Sequence, residues 1–199
     1  MIEVEQKFIL NEEAKARLTG EAKFINEKVF TDIYYDTADY SLTTKDVWLR
    51  QRGGKFELKI PIKIDINRLT NQYQEIEDEA EIRKFLHLSE EKGLEDDLAS
   101  KKYSIFCRCT TVRKKYGLNQ FIIDLDEVDY GDFKYNLGEI ELMINSKEEM
   151  ALASEKILAL AKEKGLELLP VRGKVIEYLK QKRPQHYEVL VKAGVVKDF

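Results

Sequence analysis

Apolar and polar residues alternate with a period of two in several stretches of this chain. In residues 2–8, Ile2, Val4 and Phe8 fill one register while Glu3, Glu5 and Lys7 fill the other, which gives a β-strand one apolar and one charged face. The same alternation predicts strands in "EKVFTDIYYDT", "NQYQEIEDE", "YSIFCRCTTVRKKYGL", "FIIDLDEVDYG" and "YNLGEIELMIN". In "DVWLRQRGGKFELKIPI" two alternating runs flank Gly53-Gly54, whose tolerance of positive φ predicts a tight hairpin. Elsewhere the period lengthens to that of a helix. "NEEAKARLTG" begins with Asn11 as N-cap, and "SKEEMALASEKILALAKEKGL" begins with a capping box of Ser146 and Glu149. A helical stretch from Glu79 to Ala99 has helical spacing of Ile82, Phe85, Leu86 and Leu94 and is expected to break near Gly93. The tail predicts two short helices, within about 172–192, split at Pro184. No repeat or linker divides the chain, so residues 1–199 are expected to form one α+β domain with mostly antiparallel strands.

The charged faces are unusual in composition. Trp48, Arg50 and Arg52 share a face, as do Glu57 and Lys59 across the turn. Tyr73, Glu75 and Glu77 form another row, and further rows are Cys109, Thr111 and Arg113; Asp124 and Asp126; and Glu139 and Glu141. A solvated sheet face mixes Ser, Thr and Gln among its charges, whereas these rows are dense in Glu, Asp and Arg. The amphipathic helices need an apolar surface to cover, and the apolar strand faces supply it. The charged faces then look inward at one another, as in a closed barrel or tunnel with helices packed outside. Charges at that density are costly to enclose unless they bind a guest of mixed charge. Arg50, Arg52, Lys59 and Arg113 suit an anion, and Glu3, Glu5, Asp124 and Glu141 suit divalent cations; a magnesium polyphosphate combines both.

Composition narrows the field of partners. With 33 Lys plus Arg against 37 Asp plus Glu, the net charge of −4 gives no field to attract nucleic acid. No apolar run is long enough for a membrane span and no secretory signal is visible, so a cytoplasmic protein without a membrane partner is expected. Cys107 and Cys109, two apart on a strand, suit neither a disulfide nor a zinc site and read as reduced wall residues. His87 and His186 lie outside the acidic rows and read as structural. The charge run "LSEEKGLEDD" reads as a solvated helical surface and "KQKRPQHY" as a basic helix end.

The row Glu3-x-Glu5-x-Lys7, followed in order by "FTDIYYDT", "DVWLRQR", "FELKIP", "TTVRKKY", "IDLDEVDYG", "GEIELMI" and "GKVIEYLKQKRPQHY", resembles the CYTH superfamily of triphosphate tunnel metalloenzymes, and within it the animal thiamine triphosphatases. The resemblance runs almost end to end. It implies a closed eight-stranded antiparallel β-tunnel that removes the terminal phosphate from a linear triphosphate, such as thiamine triphosphate, with Mg2+ or substituting Mn2+. It implies that Glu3, Glu5, Asp124 and Glu141 serve metal binding, with Glu3 or Glu5 activating water. Lys7, Arg50, Arg52, Lys59 and Arg113 would grip phosphate oxygens, Lys59 with a catalytic part. Glu139 would sit beside the substrate, Lys174 would reach it from the C-terminal helix, and Trp48 would stack on the thiazolium ring. Tyr34 and Tyr35 read as packing in the wall, with lining of the region around Trp48 as the alternative.

Three rival readings stay open: an inorganic tripolyphosphatase of the same fold, a class IV type adenylyl cyclase, and a non-catalytic polyphosphate-binding module. The acids argue against the last, because anion binding alone needs bases more than carboxylates. A small-molecule triphosphate is the expected partner, and a closed tunnel is compatible with a monomer.

Overall fold

In the computed structural model, which describes residues 2–62, 70–89 and 93–198, the strands close on themselves. They are β1 (Ile2–Ile9), β2 (Lys23–Asp36), β3 (Trp48–Arg52), β4 (Lys55–Pro61), β5 (Asn71–Ile76), β6 (Ser104–Leu118), β7 (Phe121–Asp129) and β8 (Lys134–Ile144). Their order around the barrel is β1-β5-β4-β3-β2-β6-β7-β8, with every neighbouring pair antiparallel. Closure falls to the first strand, which pairs with β5 through Glu3↔Tyr73 and with β8 through Glu5↔Glu141 and Lys7↔Glu139. A closed sheet leaves no edge for another chain to extend.

The helices are α1 (Glu12–Thr19), α2 (Glu79–Leu86), α3 (Leu94–Ser100), α4 (Met150–Glu163), α5 (Lys174–Lys182) and α6 (Pro184–Lys192). Asn11 caps α1 by accepting from the Ala14 amide at 2.8 Å, and Ser146 and Glu149 form the expected capping box ahead of α4. The break between α2 and α3 starts earlier than Gly93, because His87 turns left-handed at φ 53° and ends α2. Residues 90–92 of the charge run lie outside the described residues. Gly53 and Gly54 both take positive φ, as the β3–β4 hairpin requires.

Two apolar layers cover the outside of the barrel. On one side Val4, Phe8, Ile123, Ile140 and Leu142 pack against Ile157 and Leu160 of α4. On the other, Leu49 and Leu58 pack against Ile82 and Leu86 of α2 and Leu94 and Leu98 of α3. A third cluster lies across one end of the tunnel. There Val175, Leu179 and Leu190 of α5 and α6 meet the inward-facing Tyr34, Cys107, Cys109 and Val128. Both cysteines are free and buried. Each buried aliphatic contributes roughly 1.5–3 kcal/mol, so the charged interior is held shut by apolar layers around it. Among the described residues no helix is long and apolar enough to cross a membrane.

Two predictions follow from this packing. A Cβ at Gly138 would lie 2.0 Å from Phe8 Cε2, so Gly138→Ala should destabilise by about 1–3 kcal/mol; an unchanged urea midpoint would contradict that contact. His186 is buried, stacks on Tyr40 at 3.8 Å and shares a 2.7 Å hydrogen bond with Thr43 Oγ1. Burial lowers its pKa from 6.5 to about 4, with Asp36 opposing and Arg183 assisting. The unfolded chain therefore binds a proton that the folded one refuses, and stability should fall as pH drops from about 6.5 to about 4. Unfolding midpoints across that window should shift less in His186→Gln than in the wild type, and equal shifts would remove His186 from the account.

Candidate active site

The inward register of the strands opens onto a cavity of about 540 Å³. Of the site residues expected from the sequence, all but Asp124 line it: Glu3, Glu5 and Lys7 from β1, Trp48, Arg50 and Arg52 from β3, Lys59 from β4, Arg113 from β6, Glu139 and Glu141 from β8, and Lys174 from α5. Asp124 is fully buried in the wall behind Arg113 and Lys115. The rows of β1, β3, β4, β7 and β8 exist because these strands bury their apolar register under helices and have the lumen left for the other.

Acids and bases interlock across the tunnel. Lys59 Nζ lies 2.6 Å from Glu3 and 2.8 Å from Glu75. Lys7 pairs with Glu5 and stands 3.5 Å from Glu139. Arg50 Nε donates to Glu57 at 2.6 Å. The Arg113 guanidinium grips both oxygens of Asp126 at 2.6 Å, reaches Glu139 at 3.0 Å and also pairs with Asp124. Burial opposes the charge on Lys59 and Lys7, but Glu3 and Glu5 respectively, with their neighbours, more than offset it and hold both ammonium groups above the ordinary lysine range. Glu139 goes the opposite way. Burial would raise it, yet Lys7, Arg113 and Lys174 pull it down to about 2.

The carboxylates also crowd one another. Oxygens of Glu3, Glu5 and Glu141 lie within 4.8 Å of one another, and so do those of Asp124, Glu139 and Glu141. Burial, followed by the charges of Asp124, Glu3 and Glu139, pushes Glu141 well above the usual carboxylate range. Asp124 Oδ1 is buried with no hydrogen-bond donor among the described residues. A crowded, all-oxygen donor set with an orphaned acceptor fits a hard divalent cation. Glu141 belongs to both groups, and Glu139, expected beside the substrate, falls in one of them.

Other residues in and behind the cavity wall complete the site, and of these Asp32, Phe30, Lys115 and Asp46 were not singled out in the sequence. Asp32, fully buried on β2, accepts from Arg52 Nε at 2.6 Å and Nη2 at 2.9 Å and pairs with Lys174 Nζ at 2.6 Å. This acid thus ties the C-terminal helix to the tunnel wall. Arg52 and Lys174 also lie over the Phe30 ring, at 3.8 and 5.3 Å from its centroid. Phe30, Asp32 and Tyr34 share one register of "FTDIYYDT", so the alternation held the signal. Tyr34 lines the cavity, while Tyr35 packs outside against Phe56. Lys115 continues the row of Arg113 and pairs with Asp124 at 3.0 Å. Asp46, in a turn without periodicity, accepts hydrogen bonds from Trp48 and Tyr73.

The CYTH domain family model matches residues 1–169 of the chain. The whole chain aligns at 31% identity with the thiamine-triphosphatase of Macaca fascicularis, covering 93% of that protein. The thiamine-triphosphatase of Homo sapiens is also 31% identical, over 98% of this chain and 91% of that one. Among solved structures, the PH1819 protein of Pyrococcus horikoshii OT3 superposes with a TM-score of 0.60 at 22% identity, over 90% of this chain and 99% of that one. HpAC1 of Hippeastrum, described as a candidate adenylyl cyclase with a dominant triphosphatase activity, gives 0.57 at 20% identity, over 91% and 96%. At these identities the two superpositions are likenesses of fold.

The clamp made by Asp32 yields a stability prediction. Asp32→Asn leaves Arg52 and Lys174 facing an uncharged group inside the wall, which should cost about 3–5 kcal/mol in urea unfolding at pH 7. A loss below about 1 kcal/mol would mean that solvent already screens the cluster.

Proposed function

This chain belongs to the CYTH domain family, and from that premise we propose that it is a Mg2+-dependent phosphohydrolase converting thiamine triphosphate to thiamine diphosphate and phosphate. The observation that carries the reading is the interlocked lumen, where a row of bases faces a crowd of carboxylates inside one cavity. A polyphosphate suits the bases and a divalent cation suits the acids. The thiamine-triphosphatases that align over nearly the full length of the chain support the choice of substrate.

In this mechanism Arg50, Arg52 and Arg113 offer planar forks of donors to phosphate oxygens, while Lys7, Lys59 and Lys174 offer point charges. Phosphoryl transfer asks mainly for in-line positioning and neutralisation of charge, which a closed lumen of fixed cations provides. Glu3, Glu5, Glu141 and Asp124 would hold the cation, with Glu139 beside them. Bound Mg2+, or Mn2+ in its place, supplies neutralising charge and makes the attacking water more acidic. Glu3 or Glu5 takes the proton from that water on a carboxylate oxygen. Lys59, now paired with Glu3 and Glu75, turns to the phosphoryl oxygens as charge builds there. Trp48, whose ring lines the cavity, takes the thiazolium; a cation over an indole is worth about 0.5–2 kcal/mol. The same lumen supports hydrolysis of inorganic tripolyphosphate as a second reading, because most of its charged contacts ask nothing of an organic group.

Phosphate release by the purified chain with Mg2+, on thiamine triphosphate, tripolyphosphate and ATP, tests the proposal. A lead in kcat/KM for thiamine triphosphate is expected; a lead for tripolyphosphate would transfer the reading to the bare ion, and no release from any would remove the hydrolase. Lys59→Ala should lower kcat by about two to three orders of magnitude with the far-ultraviolet circular dichroism unchanged, and near-normal turnover would take Lys59 out of the site. Glu5→Gln should lower activity and raise the Mg2+ concentration for half-maximal rate, whereas an unmoved Mg2+ curve would place Glu5 outside the cation site.

A further inference from the structure

We propose that Asp46 is a positioning and specificity residue, which fixes Trp48 and Tyr73 as an aromatic wall for a cationic ring carried on the end of the triphosphate. The proposal rests on the substrate reading above and adds a residue to it.

Asp46 follows the short 3-10 turn Thr43–Lys45 and adopts the left-handed conformation, φ 58° and ψ 25°. A non-glycine residue is strained there unless its surroundings hold it. Its own amide donates to Thr43 O at 3.0 Å, and the next amide, of Val47, donates to Leu42 O at 3.1 Å. The side chain is thereby aimed into the cavity. Asp46 Oδ1 accepts from Trp48 Nε1 at 2.8 Å and from the Tyr73 hydroxyl at 3.0 Å. Because β4 separates β3 from β5, one oxygen braces two strands that do not touch through their ladders. Asp46 Oδ2 has no hydrogen-bond partner among the described residues, and Asp46 joins no ion pair there. Burial lifts the carboxyl to about 6, more than the Trp48 and Tyr73 donors and the charge of Lys7 offset, with Glu5 adding to the rise. Lys59 Nζ lies 5.8 Å from the Tyr73 ring, so the aromatic wall adjoins the cations that grip phosphate. Two aromatic faces beside an open carboxylate oxygen attract a positively charged ring more than a neutral one.

Trp48 is the sole tryptophan, so fluorescence excited selectively at the indole, beyond the absorption of the tyrosines, reports on this wall alone. In Asp46→Ala, acrylamide quenching of Trp48 should rise at least twofold. The ratio of kcat/KM for thiamine triphosphate over tripolyphosphate should fall at least tenfold, mostly through KM. Asp46→Asn keeps an oxygen acceptor, so quenching should return to the wild-type level while the ratio still falls, by about two- to fivefold as the charge is lost. The Asn variant also decides the matter should the Ala variant fail to fold. Wild-type preference for thiamine triphosphate that survives both substitutions overturns the proposal and leaves the substrate reading standing. A wild type without that preference overturns the substrate reading and the specificity role with it, and increased quenching in Asp46→Ala would then leave only the bracing of Trp48. Unchanged quenching in Asp46→Ala removes the bracing as well.

Discussion

The structure depends on the ion pairs that fill its own lumen. A barrel closed around unpaired ammonium or carboxylate groups would lose several kcal/mol per ion to desolvation. Here the principal bases each meet an acid: Lys59 with Glu3, Lys7 with Glu5, Arg50 with Glu57, Arg52 with Asp32, and Arg113 with Asp126. The interior is therefore a self-neutralising lattice. Whatever binds there has to replace pairs that already exist, so a guest carrying a single sign of charge would strand one half of the lattice.

This constraint explains how the rest of the chain is arranged. The apolar registers of β1, β3, β4, β7 and β8 face outward, under α4 on one flank and under α2 and α3 on another, because the charged rows take the lumen. Helices α5 and α6 close one end of the tunnel over apolar residues, and Lys174 reaches past that layer to Asp32. Gly173 precedes α5 where a Cβ would stand 3.1 Å from Lys7 Cε, so the helix begins hard against the stem of a tunnel lysine. The end cover and the charged rows are thus mechanically joined, and a change at Asp32 or Gly173 is felt by residues of both.

Much of this was legible in the sequence, for a definite physical reason. Strands that bury one face show a strict two-residue period, and the period named the inward rows of β1, β3, β4, β7 and β8 directly. Closure was legible because amphipathic helices demanded the apolar faces. The misses have causes as well. The row of β6 was followed only to Arg113 although Lys115 continues it, and the alternation of β2 was read without a lumen role for Asp32 or Phe30. Asp46 lies in a left-handed turn, where no periodicity marks direction, and its bond to Tyr73 spans strands far apart in sequence. Lys174 came from family resemblance alone, since the docking of a C-terminal helix across a barrel end leaves no local pattern. The break after α2 was expected near Gly93, whereas the left-handed residue that ends the helix is His87.

The most direct test of the lattice is calorimetric titration of the full chain with a non-hydrolysable imidotriphosphate, with Mg2+ and again with EDTA. If anion and cation must enter together to replace the internal pairs, affinity should be at least tenfold higher with Mg2+, about 1.4 kcal/mol or more. Equal affinity in EDTA would mean that the bases are free to receive the anion by themselves, and the lattice would not be what governs this site.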